Sequence, residues 1–406
     1  MEPGSPGMLD FALGPDFLIV FHLLQIAVLL GLLRYLDIYE REPYPVILAL
    51  FCWGAVGAVG FALVGNALVE ALLSPDVREV YGAAISAPIM EEIGKGLALL
   101  VALAVSTWMA RHYGTHGFSG VTDGIVYGAA VGLGFAFTEN VGYFFFTMLE
   151  GGWEFGTEVF LMRVNFSGLA VLGHALYTGL FGAGLGLAVY TANRARRLLY
   201  AGGGLALAML LHAKWNGLAV FLLVREFGFD SVHAAFTNGV PAAEMRAIEE
   251  AFETGWALTL VLYYLALAGA GIGFALWLRH ERRIIAFELA EEVNAGLLTL
   301  EEYQLLPDFR SRTSWYVRLL RAGEFSQYGA VRDLHNQLVR LALIKWKIRR
   351  SGSDPTPVQR LRQEVVALRA YAVALARAST PPAGPPVPAD PPTQPPASTS
   401  AARPSP

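Results

Sequence analysis

Seven long apolar runs, interrupted by a few ionisable side chains, constrain this chain more than any other feature. They are Phe17–Leu36, Pro45–Leu72, Tyr81–Trp108, Val121–Leu149, Asn165–Thr191, Leu198–Val224 and Trp256–Arg279. About 20 apolar residues suffice to cross a bilayer as an α-helix. A helix also satisfies its own backbone polar groups, which lipid cannot do. The pattern therefore predicts an all-α, polytopic transmembrane helical bundle of about seven spans, with the lipid bilayer as its first partner. Residues are 54% hydrophobic and 16% charged, against about 25% charged in ordinary soluble chains. These values exclude a purely soluble enzyme and a disordered chain. A net charge of −4 without a basic face gives no reason to expect nucleic acid as a partner. One cysteine, Cys52, allows neither an internal disulfide nor a cysteine-based zinc site. The first 14 residues hold no Lys or Arg, so the first run reads as a retained span and not a cleaved signal.

Glycines recur at small-xxx-small spacing in Gly124/Gly128/Gly132, Gly182/Gly186 and Gly269/Gly273. That spacing predicts close helix contacts in lipid. Basic residues set the expected orientation. Arg34 and Arg41 follow the first span, Arg194, Arg196 and Arg197 the fifth, and Arg279, Arg282 and Arg283 the seventh. The alternate loops hold only Arg78, Arg163, and Arg225 with Arg246. The N-terminus is thus expected outside and the C-terminus in the cytosol.

From His280 the composition becomes that of a soluble protein. Thr299 and Glu302 have capping-box spacing, and Val365, Leu368, Ala372 and Leu375 recur at helical spacing. The expected organisation is an N-terminal segment 1–16, a seven-span domain 17–279, a small helical cytosolic domain 280–378 and a tail 379–406. That tail holds 11 of the 22 prolines and is expected to be disordered. The stretch Phe229–Phe252 is expected to include a short surface helix.

Several spans carry residues that lipid would reject. Glu91, Glu92 and Lys95 lie in the third, Glu139 and Asn140 in the fourth, His174 in the fifth, and His212, Lys214 and Asn216 in the sixth. Each ionisable group at the bilayer centre costs about 2.5–3.5 kcal/mol or more, so they must face one another or water. Counted from the outer ends of their spans, Glu91, Glu139, His174 and His212 lie at depths of roughly 14–18 Å, at about 1.5 Å per residue. Four helices thus bring ionisable groups to nearly one level. Glu91 and Lys95 share a helical stripe, as do His212 and Asn216. Pro88, one turn before Glu91, is placed to kink its helix and free carbonyls near the site. Lys214 is expected to point away from His212. Asp123, near the end of its span, reads as a solvated or helix-start residue.

Such a set suits hydrolysis. A Glu among apolar helices can act as a general base on water, and a His/Asn pair can hydrogen-bond an oxyanion. Two His with Glu could instead hold Zn2+ with a position left for water; Glu139, His174 and His212 are the metal candidates.

The residues also carry a resemblance. Tyr39-Glu-Arg-Glu-Pro43, Ala87-Pro-Ile-Met-Glu-Glu-Ile-Gly-Lys95, Asp123-Gly-Ile-Val-Tyr-Gly128, Gly134-Phe-Ala-Phe-Thr-Glu-Asn140, Gly173-His174 and Leu211-His-Ala-Lys-Trp-Asn216 resemble the PrsW family of bacterial intramembrane proteases. That family is distantly similar to the type II CAAX prenyl endopeptidases and the Abi proteins. The resemblance covers roughly residues 35–220. It implies cleavage of a membrane-anchored protein, such as an anti-sigma factor, by a metalloprotease or a glutamate-type protease. It further implies Glu91 as the base on water, Glu92 and Lys95 in support, and His212 with Asn216 at the oxyanion. Glu139 stands where the prenyl endopeptidases have a His, and His174 is the candidate to fill that role.

Two readings compete. A proton- or ion-coupled transporter would also bury Glu, His and Lys, but it predicts internal repeats with paired broken helices, and the Glu91-Glu92-Lys95 span has no counterpart in the second half. A non-catalytic membrane scaffold would use the C-terminal helices to recruit a partner. Structural alternatives exist for single residues, such as an ion pair for Glu91 with Lys95 and interhelical hydrogen bonds for His174, His212 and Asn216. They leave unexplained why four helices carry such groups at one level.

Overall fold

The computed structural model describes residues 14–113, 118–164, 169–237 and 239–379. The tail beyond residue 379 and nearly all of the expected N-terminal segment lie outside the described residues. In chain order the helices are α1 (Pro15–Leu36), α2 (Tyr44–Glu70), α3 (Pro75–Tyr81), α4 (Ala87–Tyr113), α5 (Val121–Val164), α6 (Leu169–Val189), α7 (Arg194–Phe227), α8 (Phe229–Thr237), α9 (Ala242–Asn294), α10 (Leu300–Leu305), α11 (Phe309–Arg321), α12 (Phe325–Ser351) and α13 (Thr356–Ser379). No strand occurs among the described residues. Among the described residues seven helices are long and apolar enough to cross a membrane: α1, α2, α4 with its preceding turn, α5, α6, α7 and α9. The chain is a multi-pass helical membrane protein. Leu63, Leu210 and Leu265 are exposed on the bundle surface, where lipid takes the place of water.

Helices α5 and α6 form the centre. In their most apolar windows 83% and 72% of residues are buried, against 11% in α9. Glycine explains the position. A Cβ at Gly124 would lie 2.0 Å from the Gly182 carbonyl oxygen, one at Gly128 2.3 Å from that of Thr178, and one at Gly132 2.3 Å from that of His174. The two antiparallel helices therefore touch backbone to backbone through three turns, as small-residue spacing predicts. Helix α2 meets α5 in the same way, because a Cβ at Gly134 would lie 2.0 Å from the Phe51 carbonyl oxygen. Gly269 and Gly273 behave differently. Nothing lies within 4 Å of a Cβ at either position, so their spacing marks no close contact. They sit on a peripheral helix with no neighbour at that face.

Helix α5 is two limbs. Gly152 has φ 86° and ψ −179°, a conformation that only glycine adopts cheaply. The chain reverses there, so residues 153–164 run back along the first limb. Phe160 packs on Phe144 with ring centroids 5.4 Å apart, and Arg163 reaches Asn140. The sequence reading put Arg163 in an outer loop; the reversal carries it back inside the bundle.

Helices α2 and α4 each contain or follow a wide π-helical turn, Trp53–Ala58 and Gly82–Ser86. In a π turn the amide five residues on would satisfy each carbonyl. Five residues beyond Ala83 is Pro88, which has no N–H. The Ala83 carbonyl instead accepts from Asn216 Nδ2 at 3.0 Å. Pro88 thus frees a carbonyl beside the polar cluster, as expected from its place before Glu91.

Helix α9 has 53 residues, about 80 Å at 1.5 Å per residue. It outruns a hydrocarbon core of about 30 Å and crosses the position expected as a domain boundary, 279/280, without a break. Its distal part packs Ile285 and Leu289 against Leu338, Val339 and Val365 of α12 and α13. Thr299 and Glu302 form the expected capping box. The α1–α2 loop is tied to this region: Tyr39 Oη donates to the Pro307 carbonyl at 3.0 Å, and Arg340 pairs with Glu40 at 3.2 Å. The stretch 229–252 divides into the short α8 and the first turns of α9.

Candidate active site

Four helices supply one buried polar network. Helix α4 brings Glu91, Glu92 and Lys95, α5 brings Glu139, α6 brings His174 and α7 brings His212. The depths read from sequence agree with this meeting. Lys95 is fully buried, and its ammonium donates to Glu91 Oε2 at 3.3 Å, to Glu92 Oε1 at 2.7 Å and to His174 Nδ1 at 2.9 Å. Its three protons thus find three acceptors, and Nζ lies 4.0 Å from the centre of the Phe135 ring. A buried charge needs this degree of pairing.

The two imidazoles are held alike. His174 Nε2 lies 2.7 Å from Glu139 Oε2, and His212 Nδ1 lies 3.0 Å from Glu92 Oε1. An ionised carboxylate only accepts, so each of these ring nitrogens carries the proton. The other nitrogens, His174 Nδ1 and His212 Nε2, then present lone pairs. They lie 4.0 and 3.7 Å from Glu91 Oε2. Each carboxylate is itself anchored. Glu139 receives Arg163 at 2.9 Å, and Glu92 receives the Thr178 hydroxyl at 3.1 Å. Arg163 also donates to Asn140 Oδ1 at 2.9 Å and lies over the Tyr143 ring.

Glu91, His174 and His212 are the described group able to gather around one metal ion. Two imidazole nitrogens and one carboxylate oxygen, with a position left open, are a zinc-type donor set. Bonds of about 2.1 Å give tetrahedral edges of roughly 3.4 Å; the His212–Glu91 and His174–Glu91 separations are 3.7 and 4.0 Å, and all three ligand atoms lie within 4.8 Å of one another. Three carboxylates face two permanent cations, Lys95 and Arg163, which leaves an excess negative charge for a dication. Lys95 would have to release His174 Nδ1 and keep its two glutamates. On this geometry the residues fit a zinc ion. Glu139 does not join that group: it stands behind His174, on the nitrogen turned away.

A cavity of about 210 Å³ opens beside the network, lined by Glu139, His174, Tyr177, His212, Asn216 and Trp256 among others. A larger cavity of about 620 Å³ lies elsewhere, between Ser106–Thr107, Phe118–Ser119 and the C-terminal helices, and it contains none of these groups. Asn216 reaches the first cavity while bonding Ala83. Lys214 turns to the Thr259 carbonyl at 3.0 Å, away from His212 as expected. Asp123 is buried at the start of α5, where it accepts from the Ser119 hydroxyl at 2.7 Å and the Gly120 amide at 3.2 Å. It serves the helix start and is not solvated.

Sequence reasoning passed over Arg163, Phe135, Tyr177 and Thr178. The last two were within reach, since Tyr177 and Thr178 follow His174 by one helical turn. Arg163 was hidden by the reversal at Gly152.

A family model described as PrsW family intramembrane metalloprotease matches residues 42–241. The chain is 28% identical to Protease PrsW of Geobacillus kaustophilus over 191 residues, 47% of this chain and 72% of that protein. It is 27% identical to Protease PrsW of Clostridioides difficile over 211 residues, 51% of this chain and 80% of that protein. It is 29% identical to Protease PrsW of Bacillus subtilis over 180 residues, 44% and 72% of the respective chains. No solved structure matches at a significant level.

Proposed function

Residues 42–241 form a PrsW-family intramembrane protease domain, and from that premise we propose that Glu91 activates water to hydrolyse a peptide bond of a membrane-anchored protein. One observation carries the reading. Each histidine is backed by a carboxylate, so the opposite ring nitrogens, His212 Nε2 and the His174 Nδ1 that accepts from Lys95, turn toward Glu91. Carboxylate–histidine pairs of this kind orient imidazoles for metal binding and fix their tautomers.

The contacts of Glu91 with Lys95, His174 and His212 all use Oε2, which leaves Oε1 to take a proton from water. The water oxygen bonds to the scissile carbonyl carbon as its proton passes to Glu91. The C–N bond then breaks, and the proton passes from Glu91 to the leaving amine. Glu92 and Glu139 position His212 and His174. Lys95 and Arg163 hold the carboxylates in place. Asn216 lines the cavity where the carbonyl would sit, and its amide is held by the Ala83 carbonyl. His212, whose N–H is committed to Glu92, serves better as a lone-pair donor than as the oxyanion donor expected from its motif. A zinc ion, when bound, would be held by His174, His212 and Glu91 and would supply Lewis acidity and a more acidic water.

The substrate class we propose is a single-span anchored protein of the anti-sigma-factor type. We also propose the N-terminus outside and α10–α13 in the cytosol. The arginine bias of the loops supports this orientation, more so once Arg163 leaves the outer-loop tally. The transporter alternative finds no comparable support, since the relatives are proteases.

The test is cleavage of a single-span reporter in liposomes by the full-length protein. Glu91→Gln and His212→Ala should each lose at least 1,000-fold in rate, of the order expected for a lost catalytic group, while inserting and melting like wild type. Wild-type rates in both would overturn the proposal. Metal content of wild type and of His174→Ala/His212→Ala then decides the metal: about one zinc per chain, lost in the variant, supports the zinc form. Full activity without metal overturns it.

A further inference from the structure

The buried ionisable groups of the network hold one another's donors. Lys95 has its three acceptors, the N–H groups of His174 and His212 point at Glu139 and Glu92, and Arg163 holds Glu139 and Asn140. Tyr177 differs. Its side chain is 2% exposed, it lines the cavity, and its hydroxyl has no hydrogen-bond partner among the described residues. A buried hydroxyl left unpaired costs about 1–3 kcal/mol, and such groups in native structures call for an explanation.

The ring is fixed on both sides. It stacks on His212 with centroids 5.0 Å apart and planes 21° from parallel, and it meets His174 edge-on at 6.2 Å. The side chain leans back along α6, as helical side chains do, so that a Cβ at Gly173 would lie 3.3 Å from the hydroxyl oxygen. Gly173 also lines the cavity. The glycine of the Gly173-His174 pair thus leaves the room in which the phenol sits.

We propose that the Tyr177 hydroxyl is a catalytic donor, hydrogen-bonding the carbonyl oxygen of the scissile peptide as it becomes an oxyanion. The hydroxyl keeps its proton and neutralises charge by donation, as a preorganised oxyanion donor does. Its partner is the substrate, which explains why the protein supplies none. The assignment rests on the hydrolytic reading above and identifies the group that stabilises its tetrahedral intermediate.

The test compares Tyr177→Phe with wild type and Glu91→Gln on the same liposome reporter, with kcat and KM measured separately. Tyr177→Phe keeps the ring stack and removes only the hydroxyl. The expected result is a fall in kcat of about 100-fold or more, the usual loss for an oxyanion donor, with KM within about twofold. The melting temperature should stay level or rise, because no protein hydrogen bond is broken. A kcat within threefold of wild type, with Glu91→Gln inactive, overturns the assignment of Tyr177 alone. Wild-type activity in Glu91→Gln overturns the hydrolytic reading and this assignment with it. A marked drop in the melting temperature of Tyr177→Phe identifies a structural partner for the hydroxyl and also overturns the proposal. Gly173→Ala adds a second readout. Crowding the hydroxyl should lower kcat in the tyrosine background and have little effect when combined with Tyr177→Phe; equal effects in both backgrounds count against the proposal.

Discussion

His174 and His212 meet edge to face, with ring centroids 5.0 Å apart and planes 86° from parallel, and each is gripped by a different glutamate from a different helix. Perpendicular rings can aim their free nitrogens at one point only if both are held against rotation. Glu139 and Glu92 provide that restraint.

Removing the restraint should therefore weaken the site without emptying it. Glu139→Gln and Glu92→Gln should each lose about 10–100-fold in metal affinity or activity, the usual effect of an outer-shell partner. Titration of purified protein with zinc, alongside the cleavage assay, checks this. Losses as large as that of Glu91→Gln would mean that these carboxylates act on substrate directly.

The reversal at Gly152 should matter as much as a residue in the cavity. A side chain there meets no steric neighbour, so Gly152→Ala costs only the strain of its positive φ with extended ψ, about 1–3 kcal/mol. Arg163→Ala removes the cation from Glu139 directly. Both variants should lower kcat while leaving α6 and α7 assembled. A Gly152→Ala double mutant with Arg163→Ala should be no slower than Arg163→Ala alone if the turn acts by delivering the arginine.

The glycines of α5 divide from those of α9. Gly128→Ala would set a methyl 2.3 Å from the Thr178 carbonyl oxygen, and overpacking of this kind costs about 1–3 kcal/mol. Gly273→Ala meets nothing and should be neutral or stabilising, by up to about 1 kcal/mol from helix propensity. Melting in detergent should separate the two variants in that order.

Stability should fall at alkaline pH through the α1–α2 loop. Burial, and then the Asp123 carboxylate, push Glu42 up to about 9 and Glu40 up to about 7. Both acids hold their protons more tightly folded than unfolded. The stability they carry is fully present below the ordinary carboxylate value and is lost as pH rises through about 7 and then about 9. Tyr127, Ser119 and Arg340 contact these carboxylates, and Asp37 and Lys347 add their charges nearby. Wild type should melt lower at pH 9.5 than at pH 6, and Glu42→Gln should narrow that difference. An unchanged pH dependence in the variant would assign it elsewhere.

Much of the site was legible because lipid makes polarity conspicuous. Glu91, Glu139, His174 and His212 stood out by cost alone, and helical rise was enough to set them at one level. Their division of labour was not legible, because it depends on which ring nitrogen faces which carboxylate. Glu139 read as a metal ligand; its oxygen lies on the far side of His174. Spacing located the contacts of Gly124, Gly128 and Gly132 but could not tell them from Gly269 and Gly273, since a repeat says nothing about whether a neighbour is present. Arg163 escaped because one glycine turned an apparent loop into a returning helix, and dihedral choice at a single residue leaves little trace in composition.

The carbonyl-to-Cα seam between α5 and α6 has a mechanical consequence. Helices touching through backbone cannot slide without collision, since their ridges have no side chains to yield. They form a keel, and His174 and Glu139 ride on it together. Helix α7 joins the same keel, since a Cβ at Gly184 would lie 2.4 Å from the Tyr200 carbonyl oxygen. Helix α4 meets α6 through a side chain instead, a Cβ at Gly96 lying 2.7 Å from the Phe181 ring. Three of the four helices at the centre, those carrying Glu139, His174 and His212, are thus locked backbone to backbone, and the base Glu91 comes from the one that is packed on them through side chains.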